Sequence, residues 1–379
     1  MISWLFKYGV VVLVFNTILL SIKSTFTIGQ QVFLSLMIFY SFALLINPSQ
    51  LKKVILNKSF TFLLILNIIN LVYFVFFHTI NDVNALQYLL ARIVQFSIVS
   101  FSVYFSYNYY KDYFLNHIVY LVFATIIIGL FVNPNILEGR YSGVIWNANM
   151  LASFSMVAFS IVFLKKTSFS SFFRLFSMLL FLIVALSTGS RGVILALALL
   201  FIFKYGLTLK NIAYSFILLS FYFIMLNFQF DTSFNRFAEQ DLFNDRLLQY
   251  NYAYQTILQN PFFGSGLDKY AYINDDLVPK SLKGYIISAH NGYLALLTQY
   301  GFIIGSFVIF IILRKCWILG NYFKFSSEEK SAYVFIFIYA LFASIYENML
   351  TGINEFHTIL FWFSLAYLSF VKNSNEYKS

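Results

Sequence analysis

Apolar residues fall in blocks along most of this chain, separated by short polar turns, and one polar break is far longer than the rest. The blocks lie near 8–22, 30–47, 59–77, 85–107, 114–133, 147–164, 175–189, 192–205, 211–229, 290–313, 331–350 and 353–371. Most approach the length an α-helix needs to cross a hydrocarbon core, about 20 residues. The pattern predicts an all-α polytopic membrane protein of about twelve transmembrane helices. It forms one integral domain over 1–379, with the polar segment 231–289 inserted as a long loop. Inside that loop Leu247, Tyr250, Tyr254, Ile257 and Leu258 recur at helical spacing. A short amphipathic helix is therefore expected, capped by Asn244 or Asp245 and ended by Asn260-Pro261, with Gly264 and Gly266 just beyond.

Composition and charge agree with this reading and give it an orientation. The chain is 60% hydrophobic, 21% aromatic and 11% charged, with a mean hydropathy of +0.77, which sets it apart from soluble domains. Short loops rich in Lys and Arg stay on the cytoplasmic side. With the N-terminus inside, sixteen of the 25 basic residues fall on the inner side, Lys52, Lys53 and Lys58 among them. The short outer loops hold only Lys23, Arg140 and Arg191. Both termini are thus expected inside and the long loop outside. The net charge of +10 follows from this topology and from anionic lipid headgroups, so membrane lipids are expected partners and nucleic acid is not. The N-terminal block lacks a small-x-small cleavage pattern and reads as an uncleaved first span. Cys316 is the single cysteine, which excludes a disulfide within the chain; it falls in a predicted inner loop.

Candidate chemistry collects on the outer side. Four strings carry it: Gly139-Arg140-Tyr141-Ser142-Gly143 running on to Asn147-Ala148-Asn149; Ser187-Thr188-Gly189-Ser190-Arg191-Gly192; Asp245-Arg246 with Asn260-Pro261 and Gly264-Ser265-Gly266; and His290-Asn291-Gly292-Tyr293-Leu294, followed by Tyr300-Gly301. Arg236 shares the long loop with Arg246. Arg92 lies within a span, about 10 Å below its outer end at 1.5 Å per residue. An ionisable group there is costly and often functional, so it either snorkels outward or faces a substrate cavity. Glu347, Asn348, Asn354, Glu355 and His357 surround the last outer turn, where they either line an acceptor groove or solvate the turn. Asn147 and Asn149 suit an N-cap, and His78 and His117 show no partner spacing. Asp275-Asp276 lacks a third spaced ligand, so no metal is expected. Arg191 also suits an interfacial anchor, Arg246 a helix cap, and His290 a solvated boundary residue.

In this order and on one side of the membrane, the four strings resemble the O-antigen polymerase and O-antigen ligase superfamily, most strongly over 139–305. The resemblance implies a glycosyltransferase-C-like fold and an inner-membrane enzyme without cofactor, active at the periplasmic face. Its donor would be an undecaprenyl-diphosphate-linked oligosaccharide, with a flippase and a chain-length regulator as possible partner proteins. It further implies that Arg191 and Arg246 hold the diphosphate and that His290 is the functional histidine, as base or as orienting group. Arg92, Arg140, Arg236, Asn291 and Glu347 are the expected substrate contacts. Polymerisation of repeat units is the expected reaction; ligation of the glycan to lipid A core is the rival, and a lipid-linked glycan flippase the alternative of another class.

Overall fold

The computed structural model describes residues 2–136, 139–165, 169–206, 208–226, 244–268, 289–324 and 328–376. Every named element among them is helical. In chain order these are α1 (Ile2–Ser21), α2 (Phe26–Ile46), α3 (Pro48–Ile55), α4 (Thr61–Phe77), α5 (Val83–Asp112), α6 (Phe114–Val132), α7 (Ala148–Leu164), α8 (Ser171–Ser187), α9 (Gly192–Tyr205), α10 (Leu209–Leu226), α11 (Asn244–Gln259), α12 (Gly292–Tyr322), α13 (Glu328–Ala343) and α14 (Phe356–Glu376). Each of the twelve apolar blocks overlies one of these helices. Among the described residues, five stretches are long and apolar enough to cross a membrane: Lys23–Ile46, Lys58–Phe77, Val83–Asp112, Phe114–Val132 and Gly292–Tyr322. Ala148–Leu164, Ser171–Ser187 and Gly192–Tyr205 are apolar but shorter.

The centre of the fold is aromatic and aliphatic. α5, α7, α13 and α14 contribute fully buried Phe101, Phe154, Tyr333, Phe335, Phe337 and Tyr367. Outward faces such as Leu34, Ile38, Phe42 and Leu45 of α2 remain exposed apolar surface, as a lipid-facing helix requires.

Two boundaries differ from the sequence expectation. The block 331–350 predicts a helix that continues to Leu350, but α13 stops at Ala343 and 344–355 form a turn. Ser344, Tyr346, Glu347, Asn348, Thr351 and Asn354 put too many polar groups in that stretch for a lipid-exposed helix. Beyond 313, α12 runs on to Tyr322, so Cys316 is a buried helical residue and not part of a loop.

α12 is also broken. Gly301 has φ 72° and ψ −177° within it, a conformation open to glycine but strained for any other residue. A break at this depth frees backbone groups that lipid cannot satisfy, and the segment after α11 supplies their partners. Phe302 N donates to Pro261 O at 2.6 Å, Ser265 N to Thr298 O at 2.8 Å, and Gly266 N to Gln299 O at 3.2 Å. A Cβ on either Gly264 or Gly301 would lie about 2.5 Å from the other strand's backbone, so two glycines are what allow the crossing. His78 completes the clasp: its Nε2 accepts from Leu267 N at 3.1 Å, while Nδ1 faces Asp82 Oδ2 at 3.3 Å. The histidine without an obvious partner in the sequence thus anchors the long loop.

Candidate active site

The four sequence strings meet at one end of the helices, around the 344–355 turn. Tyr141 N donates to Ser187 O at 3.1 Å, and Arg140 Nε to Thr188 O at 3.4 Å, joining the first string to the second. Gly192, the first residue of α9, abuts Tyr346: a Cβ there would stand 2.8 Å from the phenol oxygen. Tyr250 OH of α11 and Asn291 Nδ2 both donate to Ile345 O, each at 2.9 Å. Gly292 N donates to Ser344 O at 2.7 Å.

Glu347 is the hub. Its Oε1 lies 3.1 Å from Arg246 Nη2, and its Oε2 lies 3.2 Å from His290 Nδ1. Asn149 Nδ2 donates to Oε1 at 3.2 Å, and Asn149 Oδ1 in turn accepts from Arg140 Nη2. Arg246 Nη1 also donates to the Tyr346 carbonyl, and the guanidinium lies 5.9 Å from the centre of the Tyr346 ring. The Glu347 side chain is 21% exposed. Burial pushes its carboxyl upward, but the hydrogen bond and charge of His290, with the charge of Arg246, outweigh this and hold it below the usual carboxylate value.

Local structure explains why these residues stand where they do. Arg246 is the third residue of α11, close to where the sequence pattern started the helix. The side chains of Asn244 and Asp245, its expected caps, lie outside the described residues. Asn291 caps α12, its Oδ1 accepting from Tyr293 N and Leu294 N at 3.0 Å each. His290, just before that cap, has φ 42° and is the one non-glycine with positive φ among the described residues. A side chain held in this sparsely populated region is a common mark of a functional site. A carboxylate only accepts, so His290 Nδ1 carries the proton of the bond to Glu347, and Nε2 is the basic nitrogen of the neutral ring.

The remaining expected residues fall as follows. Arg191 is the half-buried N-cap residue of α9, beside the contact of Gly192 with Tyr346. Arg140 reaches the hub through Asn149. Arg92 is 3% exposed and does not snorkel; its guanidinium donates to Gln95 Oε1 at 2.8 Å, Tyr88 OH at 3.0 Å and Thr351 O at 2.5 Å. The bond to Thr351 O fastens α5 to the far side of the same turn. Asn147 does cap α7, accepting from Asn149 N. Arg236 lies outside the described residues.

A helical membrane protein with an imidazole, a carboxylate and two or more guanidiniums gathered at one end of its bundle is the class this geometry defines. Residues 176–310 match a family model described as O-antigen ligase. The matched stretch, which carries Arg191, Arg246 and His290, is similar to the O-antigen ligase family and supports a function of the general O-antigen ligase and polymerase type, without separating the two reactions. No curated protein and no solved structure matches the chain.

Proposed function

We propose that the protein is an inner-membrane glycosyltransferase that polymerises lipid-linked oligosaccharide repeat units at the periplasmic face. The growing glycan leaves its undecaprenyl diphosphate and joins a hydroxyl at the free end of a new lipid-linked unit. The observation that carries this reading is the carboxylate of Glu347 shared between His290 and Arg246.

The chemistry needs a base for a weakly nucleophilic hydroxyl and fixed cations for a departing diphosphate. With Nδ1–H held by Glu347, His290 takes the acceptor proton on Nε2, and Glu347 stabilises the imidazolium that forms. The acceptor oxygen bonds to the anomeric carbon as the bond from that carbon to the diphosphate oxygen breaks, and the electron pair leaves on the diphosphate. Arg246 uses two of its five N–H donors on Tyr346 O and Glu347. The others remain to bind phosphate, with Arg191 as second clamp. Direct displacement inverts the anomeric centre.

Extension of one defined lipid-linked repeat by purified protein is the test, with product linkage read by NMR. Chain growth in detergent that His290→Ala abolishes supports the proposal; growth within a few-fold of wild type in folded His290→Ala removes it. The polymerase reading rests on the absence of a dense basic patch for a phosphorylated core lipid in the long loop's sequence. Deletion of the gene should leave single repeat units attached to the core. Loss of all attachment means ligase, and an activity that moves the lipid without any covalent change means flippase.

A further inference from the structure

The end of the bundle opposite the active site carries a second, unused feature. Thr358 of α14 donates to Met349 O beside the active-site turn, whereas Asn373 of the same helix donates to Ser59 Oγ at 3.0 Å. Fifteen residues of helix separate those contacts, about 22 Å at 1.5 Å per residue. At the Ser59 end, α2, α3, α4 and α5 enclose a groove of about 270 Å³. Its walls include Leu44, Leu51, Val54, Leu63, Ile68 and Phe101. Ser97, Ser100 and Asn67 also line it; the two hydroxyls donate back to carbonyls of their own helix, at Ile93 and Phe96, and Asn67 Oδ1 is the one polar atom of the wall without a partner among the described residues.

α3 explains what the groove faces. Leu51 and Val54 of this short helix turn into the groove, while Lys52 and Lys53 are exposed beside them. Lys58 is exposed just after, and Lys315 of α12 sits 4.9 Å from the Phe62 ring at the start of α4. Between residues 47 and 64 there is no acidic residue to balance these charges. Apolar walls below a rim of lysines match an amphiphile with a hydrocarbon chain and a negative headgroup.

We propose that this groove binds an anionic glycerophospholipid, one acyl chain lying between α2, α3, α4 and α5 and the phosphate held by Lys52, Lys53 and Lys58. The bound lipid fastens the α3 corner to the bundle. The lysine rim lies at the end of the bundle away from the 344–355 turn, and the proposal does not depend on the glycosyl-transfer reading.

Native mass spectrometry and thermal unfolding of the purified full chain, titrated with phosphatidylglycerol or phosphatidylcholine, test it. Phosphatidylglycerol should be retained and raise Tm, and phosphatidylcholine should do neither to the same degree. Each Lys→Gln change at 52, 53 or 58 should weaken retention roughly fivefold, the ratio expected for about one charge contact at a lipid surface. Leu63→Trp, which fills the groove, should lose the lipid while keeping the lysines. Equal retention of both lipids, or retention unchanged in the triple Lys→Gln variant, overturns the proposal. So does displacement of phosphatidylglycerol by undecaprenyl phosphate at equal concentration, which would make the groove a carrier-tail site. His290→Ala should leave every one of these readouts unchanged.

Discussion

Two glutamates eight residues apart in one turn occupy opposite electrostatic environments. Glu347 is partly exposed and touches both His290 and Arg246, and its carboxyl is held below the usual value. Glu355 is half-buried like Glu347 but has no cation in contact among the described residues; burial, helped by the charge of Glu347, raises its carboxyl to about 7, only partly offset by the hydrogen bond with Thr358 and by the more distant Arg92. A Cβ on Gly352 would strike the Glu355 carboxylate, so the backbone there has closed over the acid. The same side chain in the same turn is thus an ion in one place and, near neutral pH, a partly protonated hydrogen-bonding group in the other. Carboxylates whose environments separate their titrations in this way can take different roles. Here Glu347 is placed to act on the histidine and arginine, and Glu355 to hold the turn.

Breaking the Glu347 side of this contrast should have the largest effect. His290→Ala is expected to lower glycan extension by about 10²–10⁴-fold, the range for a general base. Glu347→Gln keeps the shape but removes the charge, and should fall in the same range, with a lowered Tm at neutral pH that the acid-side loss of wild-type stability matches. Equal activity of Glu347→Gln and wild type would reduce the carboxylate to a tether. Next comes Arg246→Lys, which retains charge but loses the fork joining Tyr346 O and Glu347. A loss on the order of 10²-fold in kcat is expected where a fixed donor to developing charge is misplaced.

The scaffold behind the turn responds through stability. Gly301→Ala places a side chain where φ is positive and the Phe262 backbone lies 2.5 Å away, and should cost ~3 kcal/mol or more in thermal unfolding. Arg92→Ala removes the guanidinium donor from the Thr351 carbonyl, Gln95 Oε1 and Tyr88 OH. About 1–3 kcal/mol is expected for such buried groups, with Arg92→Lys milder. A raised KM at unchanged Tm in Arg92→Lys would instead put this guanidinium against substrate.

The smallest effect sharpens the contrast through pH. A carboxyl whose folded pKa lies above its unfolded value binds more protons folded than unfolded, so its contribution to stability is greatest below about 4.5 and declines as pH rises to about 7. Glu355→Gln should flatten that part of the Tm profile. Glu347 has the opposite sign: its stabilisation is present above the ordinary carboxylate value and is lost as pH falls below it. Identical Tm profiles for Glu355→Gln and wild type between pH 4.5 and 7 would show that the two acids do not differ as described.

Much of this organisation was legible in the sequence because it depends on local pattern. A helix that faces hydrocarbon must be apolar over most of its length, so the apolar blocks marked the helices, and Asn244 to Pro261 marked α11 within two residues. Residue type likewise marked the candidates: His290, Arg191, Arg246 and Glu347 stand out from apolar surroundings, and the structure brings His290, Arg246 and Glu347 together. The break at Gly301 and the clasp by His78 were not legible, since each depends on a partner far away in sequence, as Leu267 lies 189 residues from His78. Nor did the sequence rank Glu347 above Glu355 or distinguish the roles of Arg92 and Arg246.

The order of charged and apolar residues by itself determined that this chain is a helical membrane protein and which side chains were available for chemistry. Only the tertiary structure decided that α13 ends early, that Glu347 joins Arg246 to His290, and that Arg92 bonds Gln95 and Tyr88 of its own helix and the Thr351 carbonyl of the same turn. The physical reason is that burial and pairing are properties of neighbours in space, and a charged group's cost, ionisation and reach are set by those neighbours.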